Sequence, residues 1–240
     1  MPRLLSALVD LAVPAACVGC GAWGTDLCPP CAAPLRDPPR WVRPTPCPLG
    51  LPPVAAIAAY DAGVRAALVH HKERAAYSLT AHLADALARA VAHAAVTADE
   101  CAPLLVPVPS SAAARRARGD DPLLRLVRAA ATRLRRSGVP VTVEAAVVRH
   151  GRAVRDSAGL SAPDRAANLA GAFDATAERL RGPRRAVLLV DDLVTTGATL
   201  AEAARALRRA GLPPVACAVV AHARRRLPPD LGVVTRGAAG

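Results

Sequence analysis

Two adjacent carboxylates and the loop after them form the pattern with the clearest chemistry in this sequence. Asp191 and Asp192 follow four branched apolar residues, and the loop 195–199 comes next. The backbone N–H groups of a small-residue loop that opens a helix suit a phosphate. Carboxylates cannot hold a phosphate, but they accept hydrogen bonds from sugar hydroxyls and bind Mg²⁺. The pattern predicts a site for a phosphorylated sugar with a metal ion; the alternative is an ordinary surface turn after a strand.

Alternating strands and helices must position these residues. Apolar stretches predict strands at 54–60, 104–109, 139–148, 187–190 and 215–220. Helical periodicity covers 64–71, 77–96, 122–136 and 200–210, with Asp121 as the N-cap and Pro122 at the first position of the third helix. This alternation predicts an α/β fold with a parallel sheet and right-handed crossovers. Ligands of such sheets bind outside the carboxyl ends of the strands.

The rest of the chain is predicted to surround this sheet. Proline crowds residues 29–53, which we interpret as an irregular module and linker. The polar stretch 149–168 is long enough to be a mobile loop over a site. We therefore expect an N-terminal helix and cysteine module with its linker at 1–53, a sheet domain at 54–223, and a basic, poorly ordered tail at 224–240.

Four cysteines near the N-terminus have the spacing of a metal site. They form two CxxC pairs separated by seven residues, namely Cys17, Cys20, Cys28 and Cys31. Two such pairs can present four thiolates to a structural Zn²⁺. Redox-active or simply free thiols are the alternatives, and Cys47 is a candidate spare ligand. The GxGxxG pattern at 19–24 has no strand before it, so a dinucleotide site is not indicated.

The formal charge of +12 favours phosphates, nucleic acids or anionic surfaces as partners. Residues 112–152 hold ten arginines and are the candidate positive binding face. A solvent-exposed face together with the amino-acid bias of a GC-rich genome explains these arginines equally well. Lys72 is the only lysine, which either marks a need for a compact ammonium near a phosphate or reflects chance. No stretch reaches the roughly 18 uncharged residues of a membrane span, and the apolar start is interrupted by Asp10 and Pro14. We expect a cytoplasmic protein.

The stretch 186–199 closely resembles the 5-phosphoribosyl 1-pyrophosphate (PRPP) motif of type I phosphoribosyltransferases. The resemblance implies that Asp191 and Asp192 hold the ribose hydroxyls. It implies that the 5′-phosphate lies on the loop of Thr195, Thr196, Gly197, Ala198 and Thr199. Ser110 and Ser111 would then occupy the place of a pyrophosphate loop, with Lys72 a further candidate for PRPP binding and Mg²⁺ neutralising the leaving group.

Further segments resemble the ComF family of bacterial DNA uptake in order and spacing. These are the CxxC pairs, LVPVPSSAAARRARGDD at 105–121, RHGRAVRDSAGLSAPDRAANLAGAF at 149–173, and the PRPP motif. The resemblance implies a zinc module before a type I phosphoribosyltransferase fold and a link to natural transformation. The sequence departs from the family pattern at Asp120, Asp121 and Pro122 and at Ser157, and it lacks a second cysteine after Cys47. These departures leave the PRPP motif itself intact and set the acceptor side apart from the family pattern.

Two functions of different classes follow from this resemblance. The first is a PRPP-binding protein that serves DNA uptake, engaging single-stranded DNA and a helicase partner. The candidate basic residues are Arg115, Arg116, Arg118, Arg152 and Arg155. The second is an active phosphoribosyltransferase that transfers phosphoribose from PRPP to an unidentified nucleobase-like acceptor. The departures on the acceptor side favour the first.

Overall fold

The computed structural model describes residues 15–74, 76–98, 102–109, 119–149, 169, 171–175 and 185–223. The strands are β1 Arg40–Val42, β2 Val54–Ala59, β3 Pro103–Pro107, β4 Thr142–Val143, β5 Val147–Arg149, β6 Phe173–Ala175, β7 Ala186–Val194 and β8 Ala216–His222. The α-helices are α1 Pro29–Ala32, α2 Ala62–Glu73, α3 Thr80–Ala95, α4 Pro122–Arg136 and α5 Ala198–Arg209. Single 3₁₀ turns cover Ala33–Arg36, Tyr77–Leu79 and Val96–Ala98.

One mixed, mostly parallel sheet organises the molecule, with the strand order β1-β2-β8-β7-β3-β4. All neighbours from β2 to β4 pair in parallel, which confirms the prediction of a parallel α/β sheet. β5 and β6 form a separate antiparallel pair. The antiparallel edge strand β1 lies inside the proline-rich segment that the sequence predicts to be irregular. It forms because Val42 returns opposite Val54 and pairs with the start of β2.

The chain changes direction between β3 and β7. From β3 it proceeds through α4 outward to β4, whereas from β7 it proceeds through α5 in the opposite direction to β8. Right-handed crossovers therefore place α3 and α4 on one face of the sheet and α5 on the other. A strand order that reverses in this way opens a crevice at the carboxyl ends of the two central strands. This crevice is where the fold favours a ligand.

Small aliphatic side chains fill the core. β2 is buried along its whole length and consists of valine, isoleucine and alanine. Alanine supplies five of the eight buried positions of α3, which allows this helix to lie close to β2 and β8. Phe173 is the one aromatic residue among the largest fully buried side chains that the structure describes. The aliphatic core follows directly from an aromatic content of only 2%.

The predicted start of α4 is confirmed in detail. The Asp121 side chain accepts a hydrogen bond from the backbone N–H of Leu124 at 3.3 Å, and Pro122 occupies the first helical position. Asp121 therefore satisfies one of the unpaired N–H groups at the helix start. Within the described part of the chain, no helix is both long and apolar enough to cross a membrane.

Candidate functional site

The acidic pair lies in the part of β7 that extends beyond its neighbour. Pairing with β3 ends at Pro107 and Val190, whereas pairing with β8 continues to Val194 and His222. Strand β7 thus includes Asp191 and Asp192 and runs four residues further than the sequence predicts. One side of this extension, next to the end of β3, faces the crevice at the point where the strand order reverses. The carboxylates lie at the place where the fold favours ligands.

Lys72 meets this pair from the last turn of α2. Its Nζ atom lies 3.0 Å from Oδ2 of Asp192, although 120 positions separate the two residues in the chain. The Asp192 side chain is only 14% exposed, whereas that of Lys72 is 48% exposed. The lysine therefore reaches into the crevice from the solvent side. The single lysine of the chain and one carboxylate of the predicted sugar site are direct partners.

The two neighbouring carboxylates experience different environments. Burial raises the pKa of Asp191 well above its usual range, and the nearby charge of Asp192 raises it further, while the Lys72 ammonium opposes both effects. The backbone N–H of Asp192 donates to Oδ1 of Asp191 at 2.9 Å. The site therefore concentrates negative charge in a poorly solvated place. Such a place favours a cation or a hydroxyl-bearing ligand.

His71, next to Lys72, is a buried titratable group at the edge of this site. It is 3% exposed, and its Nε2 atom has no hydrogen-bond partner among the described residues. Burial lowers the pKa of His71, while the charge of Asp192 raises it. The imidazole is therefore held in its neutral form beneath the acidic pair.

The loop after β7 turns at a left-handed glycine. Gly197 has φ of +74° and directly precedes α5, which begins at Ala198. The Thr196 hydroxyl accepts a hydrogen bond from the backbone N–H of Ala198 at 3.4 Å. The helix starts two residues earlier than the sequence predicts, so its N-terminal end borders the loop directly. The positive end of the α5 dipole thus points to the carboxyl edge of the sheet.

The proline-rich linker packs against this loop, which the sequence did not reveal. A Cβ atom at Gly197 would lie 2.8 Å from Cδ2 of Leu51 and 3.2 Å from Cγ of Pro44. A cavity of about 350 Å³ lies on the linker side, between this segment and the β1–β2 edge. Two features therefore favour glycine at position 197. Its φ angle is left-handed, and the linker lies too close for a larger side chain.

The four predicted cysteines come together. Their Sγ atoms all lie within 4.8 Å of one another. Two tight backbone hydrogen bonds close the first knuckle, from Cys17 to Ala22 and from Gly21 to Cys17. Four thiolates at about 2.3 Å from a tetrahedral Zn²⁺ would be separated by about 3.8 Å, which these positions can reach with small shifts. The residues fit a structural zinc ion. Cys47, the candidate spare ligand, is not part of the cluster.

The protonation of the cluster is uneven. Burial raises the pKa of Cys17, but hydrogen bonds from the backbone of Cys28, Cys20 and Gly19 outweigh it and lower this pKa to about 6. The Cys28 thiol and burial raise the pKa of Cys31 to about 12. Backbone hydrogen bonds and the Cys28 thiol therefore favour one thiolate, and a bound metal would have to displace the remaining protons.

The structure shows a structural role for Asp120 and Asp121, two of the residues that depart from the ComF pattern. Asp120 pairs with Arg125, whose guanidinium lies 3.8 Å from the centroid of the Tyr77 ring. The Tyr77 hydroxyl lies 3.4 Å from the same carboxylate. Asp121 caps α4. At both positions the side chain stabilises the start of α4, a role that the sequence predicts for Asp121 alone.

Several predicted site residues fall outside the described residues. These are Ser110, Ser111, Arg115, Arg116, Arg118, Arg152, Arg155 and Ser157. The same holds for the predicted N-terminal helix, most of the polar stretch 149–168 and the tail after 223. The structure brings together the acidic pair, the loop, α5 and Lys72, and separately the four cysteines.

Comparison with known proteins adds two findings. Residues 124–238 match the phosphoribosyl transferase domain family, and this range includes β7, the loop and α5. A segment of 54 residues is 48% identical to a protein named Competence protein F from Haemophilus influenzae. That segment represents 22% of this chain and 24% of the relative, so the chain matches about a quarter of the relative's length. Together with the fold, the two matches make this chain similar to phosphoribosyltransferase domains and, over one short segment, to a competence protein.

Proposed function

We propose that this ComF-type phosphoribosyltransferase-like protein binds PRPP as its magnesium complex in the crevice between β3 and β7, and that this binding serves DNA uptake. One observation carries the proposal. The acidic pair, the loop with its left-handed Gly197 and the start of α5 follow one another directly, at the point where the strand order reverses. Each part offers a group that one end of PRPP requires.

The ribose and its 5′-phosphate would bind to different parts of this edge. Asp191 and Asp192 accept hydrogen bonds from the two ribose hydroxyls, which charged acceptors bind strongly. The N–H groups of the loop 195–199 and the dipole of α5 then hold the 5′-phosphate. Poor solvation of Asp191 supports this arrangement, because two sugar hydroxyls supply the hydrogen bonds that water cannot supply there.

Lys72 would bring a positive charge to the pyrophosphate end. Its ammonium contacts Asp192 and is half exposed, so a small rotation of the side chain would let it reach an incoming anion. Magnesium, when bound, neutralises charge on the pyrophosphate. The lysine therefore links recognition of the sugar to recognition of the leaving group. Ser110 and Ser111 complete this end in the proposal.

An active enzyme would displace pyrophosphate at the ribose C1 atom. The C1–O bond to pyrophosphate breaks with its electron pair on the leaving group, while a nitrogen of the acceptor forms the new bond and loses its proton to a base. The sugar would carry oxocarbenium character in between, as in glycoside chemistry. No described residue beside the acidic pair offers an obvious base for that proton, since Lys72 pairs with Asp192 and His71 is buried. The departures from the family pattern at Asp120, Asp121 and Pro122 and at Ser157 favour the binding function over catalysis.

The DNA uptake role draws on charge and on the relative's name. A net charge of +12 favours nucleic acid, and the matching relative is called a competence protein. Single-stranded DNA would bind to the basic residues Arg115, Arg116, Arg118, Arg152 and Arg155, and a helicase of the uptake machinery would be the protein partner. In this proposal the zinc module is structural.

Calorimetric titration of PRPP in the presence of Mg²⁺ tests the central claim. Replacing both carboxylates in Asp191→Asn/Asp192→Asn should weaken binding at least about 100-fold, because each hydrogen bond to a charged group contributes about 1.5–3 kcal/mol. Asp37→Asn, at an exposed carboxylate, serves as the matched control and should bind like the wild type. Equal binding by the wild type and the double variant, or no heat with the wild type, contradicts the proposal.

Two further measurements separate the functions. Release of pyrophosphate with a panel of nucleobases would identify an active transferase, whereas binding without turnover supports the uptake role. DNA binding should weaken steeply with salt and fall in the triple variant Arg115→Ala/Arg116→Ala/Arg118→Ala. Unchanged DNA affinity in this variant would remove these arginines from the proposal.

A further inference from the structure

We propose that the cysteine module positions Lys72 through helix α2, so that a metal ion held by the four cysteines tightens the PRPP site. The inference rests on the proposed function for its ligand, but the mechanical link from the module to Lys72 does not depend on it. α2 begins beside the cysteines and ends beside the acidic pair. Gly63 and Lys72 are nine residues apart on α2, which is about 14 Å along the helix axis.

At the start of α2, Gly63 packs so closely against Cys31 that no larger side chain fits without a shift of the backbone. A Cβ atom at Gly63 would lie 3.1 Å from both Cβ and the carbonyl oxygen of Cys31. A Cβ atom at Gly19 would lie 2.8 Å from Sγ of Cys31 and 3.1 Å from Cα of Gly63. Two glycines thus allow the backbone of the module and the backbone of the helix to touch. Close-packed backbones transmit a displacement, whereas flexible side chains would absorb it.

Cys31 belongs to both structures at once. It is one of the four clustered cysteines, and it is the residue against which Gly63 and Gly19 pack. A metal ion that fixes the thiolate of Cys31 therefore also fixes the surface on which α2 begins. Without the ion, the thiols would be free to separate, and the support of the helix would separate with them.

The far end of α2 is equally constrained. His71 is buried, and Lys72 contacts Asp192 at 3.0 Å. α2 also contacts α3 and α4. A short helix moves as a rigid element, so a tilt at Gly63 changes the position from which Lys72 reaches Asp192. In this arrangement Gly63 and Cys31 are positioning residues for Lys72.

The single lysine allows this link to be observed directly. Protein labelled with ¹⁵N and ¹³C in lysine alone gives one side-chain Nζ signal, because Lys72 is the only lysine in the chain. The Lys72 signal should shift when the metal is removed by a chelator, and again in Gly63→Val with the metal present. Ala62→Val creates the same side chain at an exposed position one residue away and should leave the signal in place. An unmoved Lys72 signal in both perturbed samples overturns the inference.

Calorimetry extends the test to the ligand. After chelation, removal of the chelator and addition of Mg²⁺, PRPP affinity should fall about 10-fold, and Gly63→Val should cause a similar loss. In a Lys72→Met background neither change should cause further loss, since coupled sites are not additive. An equal loss of PRPP affinity in the wild-type and Lys72→Met backgrounds would mean that the cysteine module affects the site without Lys72, and it would overturn the inference. If Gly63→Val does not fold, the metal-free wild type alone completes this cycle.

The failure of the proposed function would look different. A wild-type protein that binds no PRPP, but whose Lys72 signal shifts on metal removal, refutes the PRPP site and retains the link between module and helix. A wild-type protein that binds PRPP with an unmoved Lys72 signal retains the site and refutes the link.

Discussion

The acidic pair and the cysteine cluster are held in place by different means. The carboxylates lie on a nine-residue strand of the sheet whose first five residues are buried, and at their own positions this strand pairs with the buried strand β8. The cysteines lie in a tight turn and around a four-residue helix, outside the strands of the sheet, although Cys17 and Cys28 are buried with the core. The first site therefore derives its geometry from the core, and the second needs the chemistry of its own ligand. Unfolding of the cysteine module should therefore leave the fold of β7 nearly intact, and the expected change at the acidic pair is confined to the position of Lys72, which depends on α2.

Loss of two thiolates should have the largest effect, and it should be confined to one region. In Cys28→Ser/Cys31→Ser, we expect amide hydrogen exchange of residues 17–32 to accelerate at least about 100-fold, because structural zinc contributes folding free energy outright. Exchange in β7 and β8 should change much less. Hydrogen exchange followed by mass spectrometry measures both regions in one sample.

Cys47→Ser is the matched control for this change. Cys47 is half-buried and lies outside the cluster, and its thiol donates only to the carbonyl of Pro48 at 3.8 Å. Its replacement should leave exchange unchanged in both regions. Equal acceleration in β7 after loss of the cluster thiols would show that the two regions fold as one unit.

A side chain at the loop glycine should have an intermediate effect. Gly197→Ala combines a left-handed backbone angle with a 2.8 Å approach to Leu51, so we expect a loss of about 2–3 kcal/mol in the free energy of unfolding and about 30-fold weaker PRPP binding. Gly211→Ala provides the comparison, since Gly211 has φ of +76° and nothing within 4 Å of its added Cβ. It should cost about 1–2 kcal/mol and leave PRPP binding intact. Urea denaturation and calorimetry measure the two losses, and equal PRPP binding by both variants would argue against a role of the loop.

Neutralising the half-buried carboxylate of Asp191 should have the smallest effect on the free energy of unfolding, and of the opposite sign. The pKa of Asp191 is raised in the folded protein, so its contribution to stability is intact below its unfolded pKa and is lost as the pH rises through its folded pKa. Asp191→Asn removes this loss. We expect the variant to match the wild type near pH 3.5 and to exceed it by about 1 kcal/mol at neutral pH.

Thermal unfolding of both proteins between pH 3.5 and pH 8 measures this difference. Glu73→Gln, at an exposed carboxylate, should show no comparable rise. A variant that is less stable than the wild type at neutral pH would show that the Asp191 charge supports the fold. The contrast between the two regions would then fail. The acidic pair would no longer be a site that lowers the stability of the folded protein for the sake of ligand binding.

The sequence predicts those features that depend on neighbours in the chain. The capped start of α4 at Asp121 and the order of strand, acidic pair, loop and helix each rest on residues a few positions apart. Lys72 was a candidate for the site only because it is unique, and its partner Asp192 could not be inferred across 120 positions.

Contacts that depend on the absence of a side chain have no signature in the sequence. Gly63 looks like an unfavourable residue in a helix, and only the packing against Cys31 shows why it stands there. The edge strand β1 was missed for a related reason. Its three residues are too short for a periodic pattern, and they become a strand only because β2 provides a free edge.

The placement of the two indole rings has a consequence for spectroscopy. Trp23 is 72% exposed in the turn between the cysteine pairs, and Trp41 is 44% exposed at the edge of the sheet. Their emission in the native state already resembles that of indole in water, so fluorescence changes little when the aliphatic interior melts. We therefore expect tryptophan fluorescence to report mainly on the surroundings of the two indole rings. Calorimetry or circular dichroism should report on the unfolding of the core.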